Sequence, residues 1–313
     1  MKRVIIDTDT GVDDALAIIL ALKSPELHVE AITTVAGNAE VEKCTRNCLL
    51  ILDLVKPTMA PIVAQGAKKP LARKLVTAPE VHGEDGLGNS THLYPRPRHK
   101  AASEHAVDVI LRLIRKYPTQ ITVVALGPLT NLALALQKSQ RTMKNVKEII
   151  AMAGAFRVPG NTGPVAEFNT CVDPEAAQKV LDAGIPLTII PLDVTEQVKL
   201  YQNEIMKIRK TSKSGIILFI SEVSRFYMDF HKKFLGFLGG YLHDPLTVGV
   251  AIRKDFVLTR RLHVTVETKG DVTRGMMVAE FRSSFEKKLP NADVAVVVRK
   301  DEFLNFFRSR VLV

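Results

Sequence analysis

Along this chain, short β-branched runs alternate with longer stretches whose apolar positions fall three and four apart. The runs at 3–7, 29–35, 61–64, 121–126, 148–152 and 187–190 predict strands. Between them, helical spacing predicts helices over 13–23, 40–55, 105–116, 129–137 and 174–183. Such alternation predicts an α/β fold with a mostly parallel, doubly wound, Rossmann-like central sheet and helices on both faces. The last third differs. Helical patterns over 202–234 and 245–252 precede strand-like runs at 262–268, 275–281 and 292–298, and 301–310 reads as a closing helix. With no Pro-rich or Gly-Ser linker, low-complexity tract or repeat, a single domain over 1–313 is expected. Residues 65–99, rich in Gly, Pro and charge, predict a long excursion over a functional site.

Composition narrows the class. Of 313 residues, 46% are hydrophobic and 24% charged, which excludes a disordered, collagenous or disulfide-stapled chain. The longest apolar run, 15–22, falls well short of the roughly 18 residues that a membrane helix needs. Met1-Lys2-Arg3 is followed by only Val4-Ile5-Ile6 before Asp7, so no signal-peptide core is expected. Three cysteines cannot all pair, and the expected setting is cytoplasmic, without a membrane partner. Cys44 and Cys48 share a helix face, but nothing completes a zinc set; with Cys171 they read as small core residues. The net charge of +10 is spread over short clusters such as Lys68-Lys69 and Lys232-Lys233. That pattern reads as a solvated basic surface, not as a nucleic-acid interface.

Chemistry gathers where the predicted strands end. The first ends in Asp7-Thr8-Asp9-Thr10-Gly11-Val12-Asp13-Asp14, the second in Gly37-Asn38 and the third in Gly127-Pro128-Leu129-Thr130-Asn131. The fourth runs into Gly154 and then Gly160-Asn161, and the fifth ends at Asp193. Taken singly, these are ordinary turn residues. Together they point to one pocket, because open parallel sheets bind ligands beyond the carboxyl ends of their strands. Four carboxylates in the first block exceed what helix capping explains. Their mutual repulsion calls for a cation, and all-oxygen donors favour Ca²⁺ or Mg²⁺ over zinc. His243-Asp244 precedes Pro245 at a helix start, where Asp244 reads either as an N-cap or as a remote ligand, and His243 as a proton donor. The loop from Gly160 to Asn169 carries Asn161, Glu167 and Asn169, which suit either recognition of several hydroxyls or a hydrogen-bonded turn.

These blocks resemble the inosine-uridine type nucleoside hydrolases. Asp7 to Ala15 is similar to that family's DxDxGxDDA signature, and the match continues through 32–38, 127–131, 166–169 with 173–177, and His243-Asp244-Pro245. The resemblance implies hydrolysis of the N-glycosidic bond of ribonucleosides. It implies that Asp9 is the general base acting on water at a Ca²⁺ ion held by Asp9, Asp14, Asp244 and the Leu126 carbonyl. It further implies that Asp13, Asn38, Asn161, Glu167 and Asn169 grip the ribose over Met152, and that His243 protonates the departing base. His82 falls in a flap over the site. Tyr227 and His231 fall on one helix face where the family contacts the base, or else pack an amphipathic helix. The chain has no Trp, the residue with which purine-specific members stack the base, so non-specific or pyrimidine-preferring activity is expected, in a homodimer or homotetramer. Two alternatives stand beside this reading: a haloacid-dehalogenase-like phosphatase using Asp7 and Asp9, and a non-catalytic ribose-binding module. Gly11 and the adjacent Asp13-Asp14 depart from the phosphatase pattern.

Overall fold

The six runs expected from the earlier part of the chain all become strands of one sheet. In a computed structural model, which describes residues 1–282 and 288–313, they are β1 (Lys2–Thr8), β2 (Leu27–Thr34), β3 (Ile62–Gln65), β4 (Ile121–Ala125), β5 (Glu148–Met152) and β6 (Leu187–Ile190). There follow β7 (Lys199–Tyr201), β8 (Gly239–Tyr241), β9 (Val257–Leu262), β10 (Val264–Val266), β11 (Met277–Ala279) and β12 (Ala292–Val298). The helices of the first part are α1 (Val12–Leu22), α2 (Val41–Val55), α3 (Pro79–His82), α4 (Ala106–Lys116), α5 (Thr130–Met143) and α6 (Phe168–Val172). Those of the second are α7 (Pro174–Leu181), α8 (Leu192–Thr195), α9 (Gln202–Thr211), α10 (Gly215–Leu235), α11 (His243–Ile252) and α12 (Lys300–Val311).

The central sheet has eight strands in the order β3-β2-β1-β4-β5-β6-β12-β9. All its pairings are parallel except β12 with β9, so the α/β, doubly wound expectation holds. Both faces are covered, which is why the parallel strands read as continuous apolar runs and not as alternating ones. One apolar cluster joins α1, α2, α10, α11 and α12 on one face; another joins α4, α5 and α7 on the other. The chain leaves β1 towards β2 and β3, then returns to place β4 on β1's other side. The crevice beyond β1 is therefore the topological switch point, where doubly wound sheets bind ligands. Two further two-stranded ribbons, β7-β8 and β10-β11, lie outside this sheet. Among the described residues, no helix is long and apolar enough to cross a membrane.

α1 is buried from Val12 to Ala21 and packs along α11. Each fully buried branched side chain, such as Ile18 or Ile19, contributes about 1.5–3 kcal/mol relative to exposure. That packing fixes the amino ends of both helices side by side.

Three expectations need correction. The run at 262–268 is not one strand: Leu262 closes β9 and, after His263, Val264 opens β10. The Asn291 side chain accepts from the Val264 N–H (2.7 Å) and donates to its carbonyl (2.9 Å), replacing a ladder neighbour at the break. The helical pattern over 202–234 is two helices, because Ser212 turns extended and its hydroxyl accepts from the Ser214 N–H at 3.1 Å. Cys171 is only half-buried, unlike the fully buried Cys44 and Cys48. The excursion expected over 65–99 runs from the end of β3 towards α4, contains α3 and is anchored where Asn47 donates to the carbonyl oxygens of Thr10 (3.2 Å) and Asp85 (2.9 Å).

Candidate active site

β1 delivers Asp7 and Asp9 to the switch point, and the two residues then part in role. Asp7 is fully buried, and its Oδ1 accepts from Thr33 Oγ1 (2.6 Å) and Asn131 Nδ2 (2.8 Å). It is a structural tie between β1, β2 and α5. Asp9 lies one step beyond the strand, with its Oδ2 accepting from the Asn38 N–H at 2.8 Å. Its Oδ1 is buried without any hydrogen-bond partner. The loops after β2 and β4 press on it so closely that a Cβ on Gly37 would stand 2.1 Å from Asp9 Oδ2, and one on Gly127 2.7 Å from Oδ1. Glycine at both positions is what lets the two loops close on this carboxylate.

Asp13 and Asp14 open α1. Asp14 Oδ2 accepts from the Gly11 N–H (2.9 Å) and from Asn38 Nδ2 (3.1 Å), and its Oδ1 accepts from Thr8 Oγ1. Asp244 arrives from the far end of the sequence, in the first turn of α11. It is not the N-cap, a position held by Leu242, so the capping alternative fails. Its carboxyl lies within hydrogen-bonding reach of Asp14, and ligand atoms of Asp13, Asp14 and Asp244 lie within 4.8 Å of one another. The positive ends of two helix dipoles face the group and offset part of its repulsion.

That offset is incomplete. Burial first, and the neighbouring carboxylates second, push Asp9 and Asp244 well above the usual carboxylate range and Asp13 up to about 8. Asp14 is also raised, chiefly by burial. Four carboxyl groups that resist joint ionisation, one with a bare buried oxygen, form a donor set for an oxygen-seeking dication. The Leu126 carbonyl borders the same space and accepts from Asn169 Nδ2 at 2.7 Å.

A cavity of about 250 Å³ opens beside this cluster. Asp13, Asn38, His82, Leu126, Met152, Asn161, Glu167, Asn169, Tyr227, His231, His243 and Asp244 all line it. Asp9 and Asp14 lie just behind that wall. Asn169 also donates to the Met152 carbonyl at 3.1 Å; with two carbonyls fixing its amino group, its Oδ1 is left to accept from a ligand. Glu167 is more occupied than expected. It caps α6, accepting from the Asn169 and Thr170 amides (2.6 and 3.0 Å), and also accepts from Thr170 Oγ1 (2.9 Å) and the Gly154 N–H (3.0 Å). Those contacts use about all the lone pairs that a carboxylate has. Asn161 sits at the exposed rim, its Oδ1 accepting from the Phe168 N–H at 2.9 Å.

Aromatic rings close the opposite side. His82 stacks on Tyr227 with ring centroids 5.6 Å apart, and Tyr227 meets His231 edge-on at 4.4 Å. The Val12 N–H donates to His82 Nδ1 (3.1 Å), joining the excursion to α1. His231 Nδ1 donates to the Tyr227 carbonyl at 2.7 Å. His243 Nδ1 pairs with Thr195 Oγ1 at 2.7 Å. Burial, with His231 and His82 nearby, presses His243 down to about 3, so it is held neutral at pH 7.

The inosine-uridine preferring nucleoside hydrolase family model matches residues 4–305. The chain belongs to that family. This nucleoside hydrolase is similar to the pyrimidine-specific ribonucleoside hydrolase RihA of Salmonella enteritidis PT4 (strain P125109), with 40% identity over 309 residues, covering 98% of this chain and 97% of that protein. Among solved structures it is similar to the plant nucleoside hydrolase PpNRh1 (TM-score 0.93, 34% identity), covering 100% of this chain and 99% of that one. It is also similar to the purine-preferring ribonucleoside hydrolase from Gardnerella vaginalis (TM-score 0.91, 34% identity), covering 99% of this chain and 98% of that one. The protein is thus a hydrolase acting on N-glycosyl compounds, cleaving ribonucleosides between base and ribose. A phosphatase using Asp7 as nucleophile and a non-catalytic ribose-binding module both fall away.

Several residues of the nucleoside hydrolase cavity had no signal in the sequence. Thr195, behind the cavity wall, pairs with His243, while Tyr241, Glu196 and Phe230 line the cavity. Each is a single polar or aromatic residue, Tyr241 at the end of β8 and Phe230 within α10, with no local pattern to mark it. Asp193, the expected fifth strand end, accepts instead from the backbone amides of Phe156 and Arg157 (both 2.9 Å) and does not line the cavity.

Proposed function

We propose that this nucleoside hydrolase is Ca²⁺-dependent and prefers pyrimidine ribonucleosides, with Asp9 as the general base and His243 as the group facing the departing base. The observation that carries the cation is the unpartnered, buried Asp9 Oδ1 beside three further carboxyl groups of raised pKa. Asp9, Asp14, Asp244 and the Leu126 carbonyl would hold the ion. When bound, it supplies charge that neutralises the carboxylates, makes water more acidic and orients hydroxyl groups.

The chain's own residues then divide the work. Breaking the glycosidic bond builds positive character on the ribose, which the nearby carboxylates stabilise. Asp9, fixed through Oδ2 by the Asn38 N–H, takes the proton from the attacking water. Asp13, Asn38 and Asn169 Oδ1 receive the ribose hydroxyls above Met152, with Asn161 at the rim. Glu167, its oxygens committed to α6, holds Asn169 in place. In the tautomer where Thr195 Oγ1 donates to His243 Nδ1, the ring carries its proton on Nε2, ready to meet the base as negative charge develops on it. His82, Tyr227 and His231 flank the base as flat surfaces. The pyrimidine preference is supported by the 40% identical, pyrimidine-specific relative and by the absence of Trp. A cytosolic homodimer or homotetramer is the proposed form, on the family resemblance and three free cysteines.

A reducing-sugar assay tests this reading on uridine, cytidine, inosine, adenosine and guanosine, before and after chelation. Ribose should appear fastest from the pyrimidine nucleosides and stop after chelation. Faster release from inosine and guanosine would refute the preference, and undiminished release after chelation would refute the cation.

A further inference from the structure

Next to the catalytic cavity lies a second one of about 540 Å³, within the size range of small-molecule sites. Its lining includes Arg73, Lys74 and Arg274 and no carboxylate. The three cations differ in availability. Arg73 is spent, donating to Glu175 (3.0 and 2.6 Å) and to the Thr268 carbonyl (2.6 Å). Lys74 is exposed, with no partner among the described residues. Arg274 is half-buried, and its Nε is withdrawn from water with no acceptor. An unmet buried donor costs about 1–3 kcal/mol, more when charged, and a hydrogen-bonding anion would remove that cost.

Two walls are shared. Thr162 and Phe168 line both cavities, and they sit beside Asn161 and Asn169. We propose that this second cavity binds a phosphate group, received by the Arg274 guanidinium and the Lys74 ammonium. A guanidinium presents paired donors that match phosphate oxygens, and two available cations balance the nearly two charges phosphate carries at pH 7. The net charge of +10 draws such an anion towards the surface. The group arrives either as inorganic phosphate or on a nucleotide; the second source rests on the proposed ribose side of the catalytic cavity, which these walls adjoin.

Calorimetric titration of the Ca²⁺-loaded protein with inorganic phosphate tests this, against chloride and acetate at equal ionic strength. Saturable binding is expected for phosphate alone. It should weaken about tenfold or more in Arg274→Gln and measurably in Lys74→Gln, whose exposed side chain can change without disturbing the fold. A second arm uses uridine 5′-monophosphate. If the nucleotide binds more tightly and raises KM for uridine in the parent but not in Arg274→Gln, the phosphate arrives on a nucleotide. If inorganic phosphate binds as well and neither ligand alters KM, the free ion is the ligand. Absence of saturable binding, equal binding of acetate, or phosphate binding unchanged in both variants overturns the proposal. The last would place phosphate at the catalytic cation. The calorimetric arm does not depend on hydrolysis, so failure of the nucleoside reading would be seen separately.

Discussion

Gly37→Ala should disable the enzyme by moving a single carboxylate. Gly37 does not occupy the left-handed region of backbone space, so alanine suits the backbone and the effect comes from contact alone. The new methyl would stand 2.1 Å from Asp9 Oδ2 and 2.9 Å from Pro128 Cδ, against an ordinary contact of 3.4 Å or more. Relief requires Asp9 or the loop to shift by about 1 Å, and misplacement on that scale costs on the order of 10²-fold in rate. That is about 2.7 kcal/mol of barrier. The shift also breaks the 2.8 Å bond from the Asn38 N–H that aims the carboxylate. Overpacking should cost only about 1–3 kcal/mol of stability, leaving the protein folded at 25 °C. Gly215→Ala is the control, since its methyl would meet only Leu54 Cδ1 at 3.7 Å. The assay is kcat for uridine, with thermal unfolding to confirm the fold. A folded Gly37→Ala protein within about threefold of the parent kcat would refute the placement of Asp9 as the base.

Three further outcomes follow from the same geometry. Asp9→Ala should depress kcat on uridine and on p-nitrophenyl riboside alike. His243→Ala should cost about 10²–10³-fold on uridine, as loss of one donor to developing negative charge does, yet spare the nitrophenyl substrate, whose leaving group needs no help; equal losses would make His243 a support for Asp244. His82, lowered by burial and then by His231 to about 3 from 6.5, binds fewer protons folded than unfolded between those values, so stability rises with pH there and is lost as pH falls through 6.5. Its share between pH 7 and pH 5 is about 2 kcal/mol, and urea unfolding of His82→Gln should show a pH dependence flatter by that amount; an unchanged slope would contradict the burial argument.

The strands of the parallel sheet were readable because both their faces are covered, so apolar residues follow one another without alternating, as in Val4-Ile5-Ile6 and Val123-Val124-Ala125-Leu126. The first carboxylate block was readable because its four members are sequence neighbours and exceed any capping need. From the residues alone Asp244 was readable as either an N-cap or a remote ligand, since its meeting with Asp14 depends on how α11 packs along α1. For the same reason nothing local marked Thr195 or Tyr241, or showed that His243 would be kept neutral. The break at Ser212 lies in the polar stretch 209–215, where no apolar position reports the helical period. The division at Leu262 depends on Asn291, a partner supplied from another part of the chain.

The central claim is that Asp9, Asp14 and Asp244 with the Leu126 carbonyl form one cation site on which glycosidic hydrolysis depends. Titrating the chelated protein with Ca²⁺ tests it directly, with bound ion, released protons and uridine hydrolysis read in the same experiment. Because Asp13, pushed up to about 8, keeps its proton at pH 7, binding should release protons, and affinity should rise with pH. One ion per chain should bind, activity should return in step with occupancy, and Asp244→Asn should weaken both. Full activity in the chelated protein, or Ca²⁺ binding left unchanged by Asp244→Asn, would contradict the claim.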